Sequence, residues 1–203
     1  YIFDKSSGSW AQIAKLVASD GAVNDFFGYS VAISGTGNNA VAIIGAYEDN
    51  SSTGSAYIFD KSSGSWAQIA KLVATDGAAS DTFGRSVAIF GTGNDAVAII
   101  GAIGNDDSYS NSGSAYIFDK SSGSWAQIAK LLASDPAEYD YFGWSVSISG
   151  TGNDAVAIIG AFGDDSSKGS AYIFNKSSSS WVQISKLVAS DGEASDDFGH
   201  SVS

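Results

Sequence analysis

YIFDKSSGSWAQIAKL is spelled out three times, letter for letter, at Tyr1–Leu16, Tyr57–Leu72 and Tyr116–Leu131, and a diverged fourth copy, YIFNKSSSSWVQISKL, follows at Tyr172–Leu187. A unit that recurs every 56–59 residues is one small structural module arrayed along the chain, and function belongs to the array. Outward from this stretch, each unit holds four short β-like runs. In one unit they are FGRSVAIF (Phe83–Phe90), AVAIIGA (Ala96–Ala102), GSAYIFD (Gly113–Asp119) and WAQIAKL (Trp125–Leu131). The runs are rich in Val, Ile, Tyr, Phe and Trp, and no 3–4 helical spacing competes with them. GTGN (Gly91–Asn94), KSSGS (Lys120–Ser124) and the ASDG or ASDP segments supply turn chemistry between them.

Four strands per repeat predict an all-β fold, a β-propeller of four-stranded antiparallel blades, with about 3.5 blades in this chain. The array divides into a partial blade at 1–26, repeats at 27–82, 83–141 and 142–197, and a partial blade at 198–203. Read by strand position, the chain opens inside a third strand at Tyr1 and stops inside a first strand at Ser203. That predicts part of a larger chain or a homo-oligomer completed by further copies of itself.

FGxSVAI, then AxxxGA, then GSAYIF, led by KL-x-A-[ST]-D-x-x-x-x-D-x-FG, resembles the FG-GAP repeat of integrin α-subunit propellers, and especially its bacterial and algal branch. The resemblance covers essentially the whole chain. It implies blades around a central axis, usually about seven, in extracellular or cell-surface adhesion and ligand-binding proteins. One element departs from it: the integrin-type calcium loop between first and second strands is here a short GTGNN (Gly35–Asn39) or GTGND (Gly91–Asp95, Gly150–Asp154).

Composition narrows the partners. Net charge is −12 with ten basic residues scattered singly, so no basic run meets phosphates and nucleic acid is excluded as the expected partner. No apolar run reaches membrane-spanning length, so no membrane insertion is expected. Cysteine is absent and there is one histidine, His200. With no nucleophile elbow, phosphate-cradling loop or zinc pattern, the expectation is a protein that is not an enzyme.

Spacing separates fixed from free positions. Each YIF tyrosine precedes an FG phenylalanine by 26 residues (Tyr1 to Phe27, Tyr57 to Phe83, Tyr116 to Phe142, Tyr172 to Phe198), and that phenylalanine precedes the GA alanine by 19. All length variation falls between GA and the next YIF, where the loop also changes letters (YEDNSSTGS, IGNDDSYSNSGS, FGDDSSKGS). A loop that varies on a fixed frame is a candidate recognition loop. The slot after FG varies too, reading Tyr29, Arg85, Trp144 and His200. These are residue types that concentrate binding energy. With Phe26, Thr82, Tyr141 and Asp197 beside them, they are the candidate site for a protein or glycan partner. The repeated Trp10, Trp66, Trp125 and Trp181 read instead as inter-blade packing.

Two aspartates lie five residues apart before every FG: Asp20/Asp25, Asp76/Asp81, Asp135/Asp140 and Asp191/Asp196. One reading is a Ca²⁺ site shared with Glu48, Asp49, Asp106, Asp107, Asp164 or Asp165, which would make a calcium-dependent lectin; the other is that each carboxylate accepts hydrogen bonds from its own turn. The first aspartate, followed by Gly or by Pro136, reads as the first residue of a type I or II turn. Near-identical units also fit a building block of an extracellular filament or surface appendage. Two sequons, Asn50-Ser51-Ser52 and Asn175-Lys176-Ser177, fit glycosylation on a eukaryotic secretory route.

Overall fold

The computed structural model describes residues 1–5, 8–120, 123–178 and 180–203; the KSSGS turn expected at Lys120–Ser124 lies partly outside the described residues. The strands follow the repeat. β1 (Ile2–Asp4) and β2 (Ala11–Ala14) form a two-stranded sheet. Three four-stranded antiparallel meanders follow. The first is β3 (Val31–Ser34), β4 (Val41–Ala46), β5 (Ser55–Asp60) and β6 (Ala67–Leu72). The second is β7 (Ser86–Phe90), β8 (Val97–Ala102), β9 (Ser114–Asp119) and β10 (Ala126–Leu131). The third is β11 (Ser145–Ser149), β12 (Val156–Ala161), β13 (Ser170–Ser177) and β14 (Ser180–Leu187). The first strands β3, β7 and β11 pack side by side, so they line the inside of the array. Residues 198–203 form no strand; the expected lone first strand lacks a second strand to complete its ladder.

The core lies between the sheets. One cluster joins Val41, Ile43 and Ile58 of the first blade to Ile89, Ile100 and Phe118 of the second; an equivalent one joins the second to the third through Ile99, Ile117, Ile148 and Phe174. The second strands of the first two blades, VAIIGA, therefore bury both faces, which is why they read as a continuous apolar run rather than an alternation; in the third blade the face of Val156 (41% exposed) and Ile158 is only partly covered. Trp125 and Trp181 pack on these clusters and Trp66 on the one before them. Trp10 departs from the expectation of a packed core: it is 70% exposed, because no described strand covers its side.

The FG and GA glycines have one explanation. Gly84 has φ +92° and sits in a turn closed by the Arg85 N–H donating to the Thr82 carbonyl at 3.1 Å, where a positive φ at the third position calls for glycine. Gly101 has no such φ, but a Cβ there would overlap the backbone carbonyl of Gly143 in the next blade. The Ser86 hydroxyl donates to that same carbonyl at 2.7 Å. Ser30 to Gly84 (2.8 Å) and Ser145 to Gly199 (2.8 Å) repeat the contact. The recurring letters of the repeat are the close approach of one blade to the next.

A bulge also recurs where the letters suggest a plain strand. The third and fourth strands slip register at Ile13, Ile69, Ile128 and Ile184, which leaves each isoleucine unpaired and 38–56% exposed on the outer edge. Bulged outer strands are poor templates for edge-to-edge pairing.

Candidate functional site

The slot residues stand on a turn that the neighbouring blade holds in place. Phe26, Thr82, Tyr141 and Asp197, one before each FG phenylalanine, take left-handed backbone with φ between +54° and +59°, a conformation that a bulky residue keeps only when its surroundings impose it. At three of the four the variable loop of the preceding blade braces it. The Thr82, Tyr141 and Asp197 N–H groups donate to the carbonyls of Ser52 (2.7 Å), Asn111 (3.1 Å) and Ser167 (2.9 Å). Two of these loops, Asp49–Ser52 and Asp164–Ser167, are themselves single turns with left-handed residues inside. The variable loops are thus tied to the turns that carry the slot residues Arg85, Trp144 and His200.

On that surface the side chains meet across blades. The Arg85 guanidinium carbon lies 4.3 Å from the ring centroid of Tyr29 in the first blade and 4.3 Å from that of Trp144 in the third. Tyr47, 4.6 Å from Tyr29 and 5.4 Å from Phe26, extends the row on one side. On the other side Phe162 packs 4.5 Å from Trp144 and stacks on Tyr141 at 5.3 Å, and His200 lies 5.4 Å from Trp144. Tyr47 and Phe162 were not among the expected residues, yet the position after GA varies (Tyr47, Ile103, Phe162) just as the slot after FG does. Phe26 is 53% and Tyr29 47% exposed. Arg85 is the chain's only arginine, and among the described residues it forms no ion pair or side-chain hydrogen bond, only its contacts with rings.

The aspartate pairs separate into two roles. The second of each pair closes its own turn: Asp25, Asp81, Asp140 and Asp196 accept from the N–H of Ala22 (2.5 Å), Ala78 (2.9 Å), Ala137 (2.6 Å) and Glu193 (2.7 Å). The first meets a lysine about fifty residues ahead. Lys71 Nζ lies 2.6 Å from both Asp20 and Asp49, and Lys186 lies 2.7 Å from Asp135 and 2.6 Å from Asp164. In the middle blade Asn105 replaces the loop aspartate, and Lys130 pairs with Asp76 (2.6 Å) and with Asp107 of the longer loop. Each lysine also lies 5.3 Å from a buried tyrosine ring of its own blade, Tyr57, Tyr116 or Tyr172. Of the remaining acids, Asp106 accepts from the Asn111 N–H (2.6 Å), Asp165 pairs with Lys168 (2.9 Å) and Asp191 is exposed. The first aspartates occupy the third turn position, not the first, because the hydrogen bonds run from Gly21 to Ala18 and from Gly77 to Ala74. None of these glycines has a positive φ, which is why Pro136 is accepted at the same place.

Charge explains the titration of these groups. The hydrogen bond from Lys71 holds the Asp20 carboxyl below its ordinary value. For Asp49, burial pushes the other way, but Lys71 and Ser55 outweigh it. Burial pushes the Tyr57 hydroxyl up to about 12. A calcium ion needs six to eight oxygen donors, whereas here an ammonium already sits between the carboxylates. Among the described residues no three Asp, Glu or His side chains converge as metal ligands, so the donor set does not fit calcium.

Asp140 runs opposite to the lysine-paired acids. Burial raises its pKa from 3.8 to about 6, opposed by the Ala137 N–H and reinforced by the nearby Asp164 charge. The folded protein then keeps this proton up to about pH 6 while the unfolded chain releases it near 4, so folding becomes less favourable as pH climbs between those values. Asp140→Asn keeps an acceptor for Ala137 and removes the buried charge. Its melting temperature at pH 7 is expected to exceed that of the wild type by roughly 3 °C or more, with the gap closing below pH 6 and vanishing near pH 4. Equal melting at pH 7 would show that the Asp140 carboxylate carries no burial penalty.

Four-stranded antiparallel blades, first strands inside and cores between sheets, define a β-propeller array. The FG-GAP repeat family model matches residues 10–59, 66–118, 125–174 and 181–203, and the chain belongs to that family. No curated protein matches the chain. Among solved structures, Sqt1 of Saccharomyces cerevisiae is similar at a TM-score of 0.47 and 11% identity over 80% of this chain and 36% of its own. Sqt1 of Chaetomium thermophilum is similar at 0.43 and 14% over 83% and 38%. The chain thus spans little more than a third of those proteins.

Proposed function

We propose that this array is a non-enzymatic, extracellular binding module that engages its partner through the row centred on Tyr29, Arg85, Trp144 and His200. The observation that carries the reading is the placement of Arg85 between rings from the two neighbouring blades. Residues that vary within otherwise near-identical units meet in one continuous surface, bordered by the loops that also vary in length. The outer edge, by contrast, repeats the same bulged strand. The titratable groups that burial and charge perturb most are tied up in lysine–aspartate pairs or turn closure, which favours binding over catalysis. The extracellular setting rests on the kinship of the repeats.

The test is retention of the labelled protein on a printed panel of purified extracellular proteins and oligosaccharides. The double variant Arg85→Ala/Trp144→Ala should lose at least about tenfold in affinity, the scale of losing interface anchors. Ile69→Ala on the outer edge should bind as the wild type does. Equal retention of the double variant, with unchanged melting, would move the binding surface elsewhere.

A further inference from the structure

We infer, building on that reading, that the row takes a saccharide carrying an isolated carboxylate among neutral sugar rings, with the carboxylate on Arg85 and the sugar rings on Tyr29 and Phe26. Three observations converge. First, Arg85 offers a planar fork of donors that no carboxylate among the described residues uses, although the chain carries twelve more negative than positive charges. A guanidinium stacked between two rings is held for bidentate contact with a planar anion. Second, the backbone at this surface has little to offer a peptide. The N–H groups of Tyr29, Arg85, Trp144 and His200 donate back to Phe26, Thr82, Tyr141 and Asp197 at 3.0–3.1 Å. Strand addition needs free backbone groups along an edge, whereas the half-exposed rings of Phe26 and Tyr29 beside one polar anchor suit the apolar face of a sugar ring. Third, the charge balance limits the ligand. One unpaired arginine on a protein of net charge −12 attracts one acidic group at short range, while a densely sulfated polymer is repelled by the whole surface. The ligand class is therefore a uronic-acid-type glycan of low charge density.

Calorimetry with a glucuronate-containing tetrasaccharide and its carboxyl-reduced, neutral counterpart tests this directly. The acidic sugar should bind the wild type about tenfold or more tightly than the reduced one. Arg85→Gln should erase that preference while still binding both weakly through the rings, and Arg85→Lys should restore only part of it. Phe26→Ala should weaken both sugars alike. Equal affinity of the two sugars, a preference that survives in Arg85→Gln, or silence of both overturns the inference. So does tighter binding of a sulfated heparin fragment or of an acidic peptide with the same dependence on Arg85. If a panel protein is lost in the double variant while the sugars are silent, the binding surface stands and its ligand class is the part that falls.

Discussion

Gly101→Ala should cost this protein several kcal/mol and uncouple its second blade from its third. The added methyl would overlap the Gly143 carbonyl oxygen and crowd the Ser86 hydroxyl. Neither can step aside easily. The Gly143 carbonyl accepts from Ser86 at 2.7 Å, and the Gly143 N–H donates to the Gly160 carbonyl at 3.1 Å within its own blade. Relief therefore requires the whole FG turn to retreat, taking Phe142 out of its site. Overpacking a core side chain costs about 1–3 kcal/mol; an overlap with pinned backbone belongs at or above the upper end of that range. Gly64→Ala is the matched control. That glycine has a positive φ but open space around it, so only the left-handed strain of about 1 kcal/mol remains. Urea unfolding of the two variants separates them, and equal midpoints would show that the interface yields where its geometry says it cannot.

The repeat made the architecture legible because each blade repeats a small set of steric demands. The four runs of the three complete repeats, the FG and GA glycines and the variable loop fall where the letters place them. The slot residues could be anticipated as neighbours because they recur at one register of a stacked array. What remained hidden depends on distance in sequence or on backbone detail. The partnership of Asp20 with Lys71 spans 51 positions, and the recurrence of both residues says nothing about which copies meet. The bulge at Ile69 and its equivalents leaves no mark, since isoleucine between Gln and Ala suits a regular strand equally well. Tyr47 and Phe162 follow GA and read as loop; only the return of the second strand to the FG turn brings them against the slot.

Identical letters also hide unequal energies, and the FG phenylalanines test this. Phe83 and Phe142 are fully buried, whereas Phe198 is 37% exposed and Phe27 half-buried. All four occupy the same register, and Phe27, Phe83 and Phe142 meet the tyrosine and phenylalanine of their own YIF edge-on, at 5.4–6.2 Å. The difference is the blade's own sheet: Phe142 and Phe198 both bridge to the preceding blade, at Gly113 and Gly169, but among the described residues only Phe142 also meets a tyrosine and a phenylalanine of its own blade, Tyr172 and Phe174. Phe142→Ala should therefore cost about 3–5 kcal/mol, the range for a phenylalanine removed from a packed core. Phe198→Ala should cost about half as much or less, because part of that surface is already wet. In a linear array stability is the sum of unit and interface contributions, so the ratio of the two losses measures how much of the phenylalanine's contribution comes from its own blade and how much from the contact with the blade before it. Equal losses in chemical denaturation would place that contribution in the contact with the preceding blade rather than in the blade's own sheet.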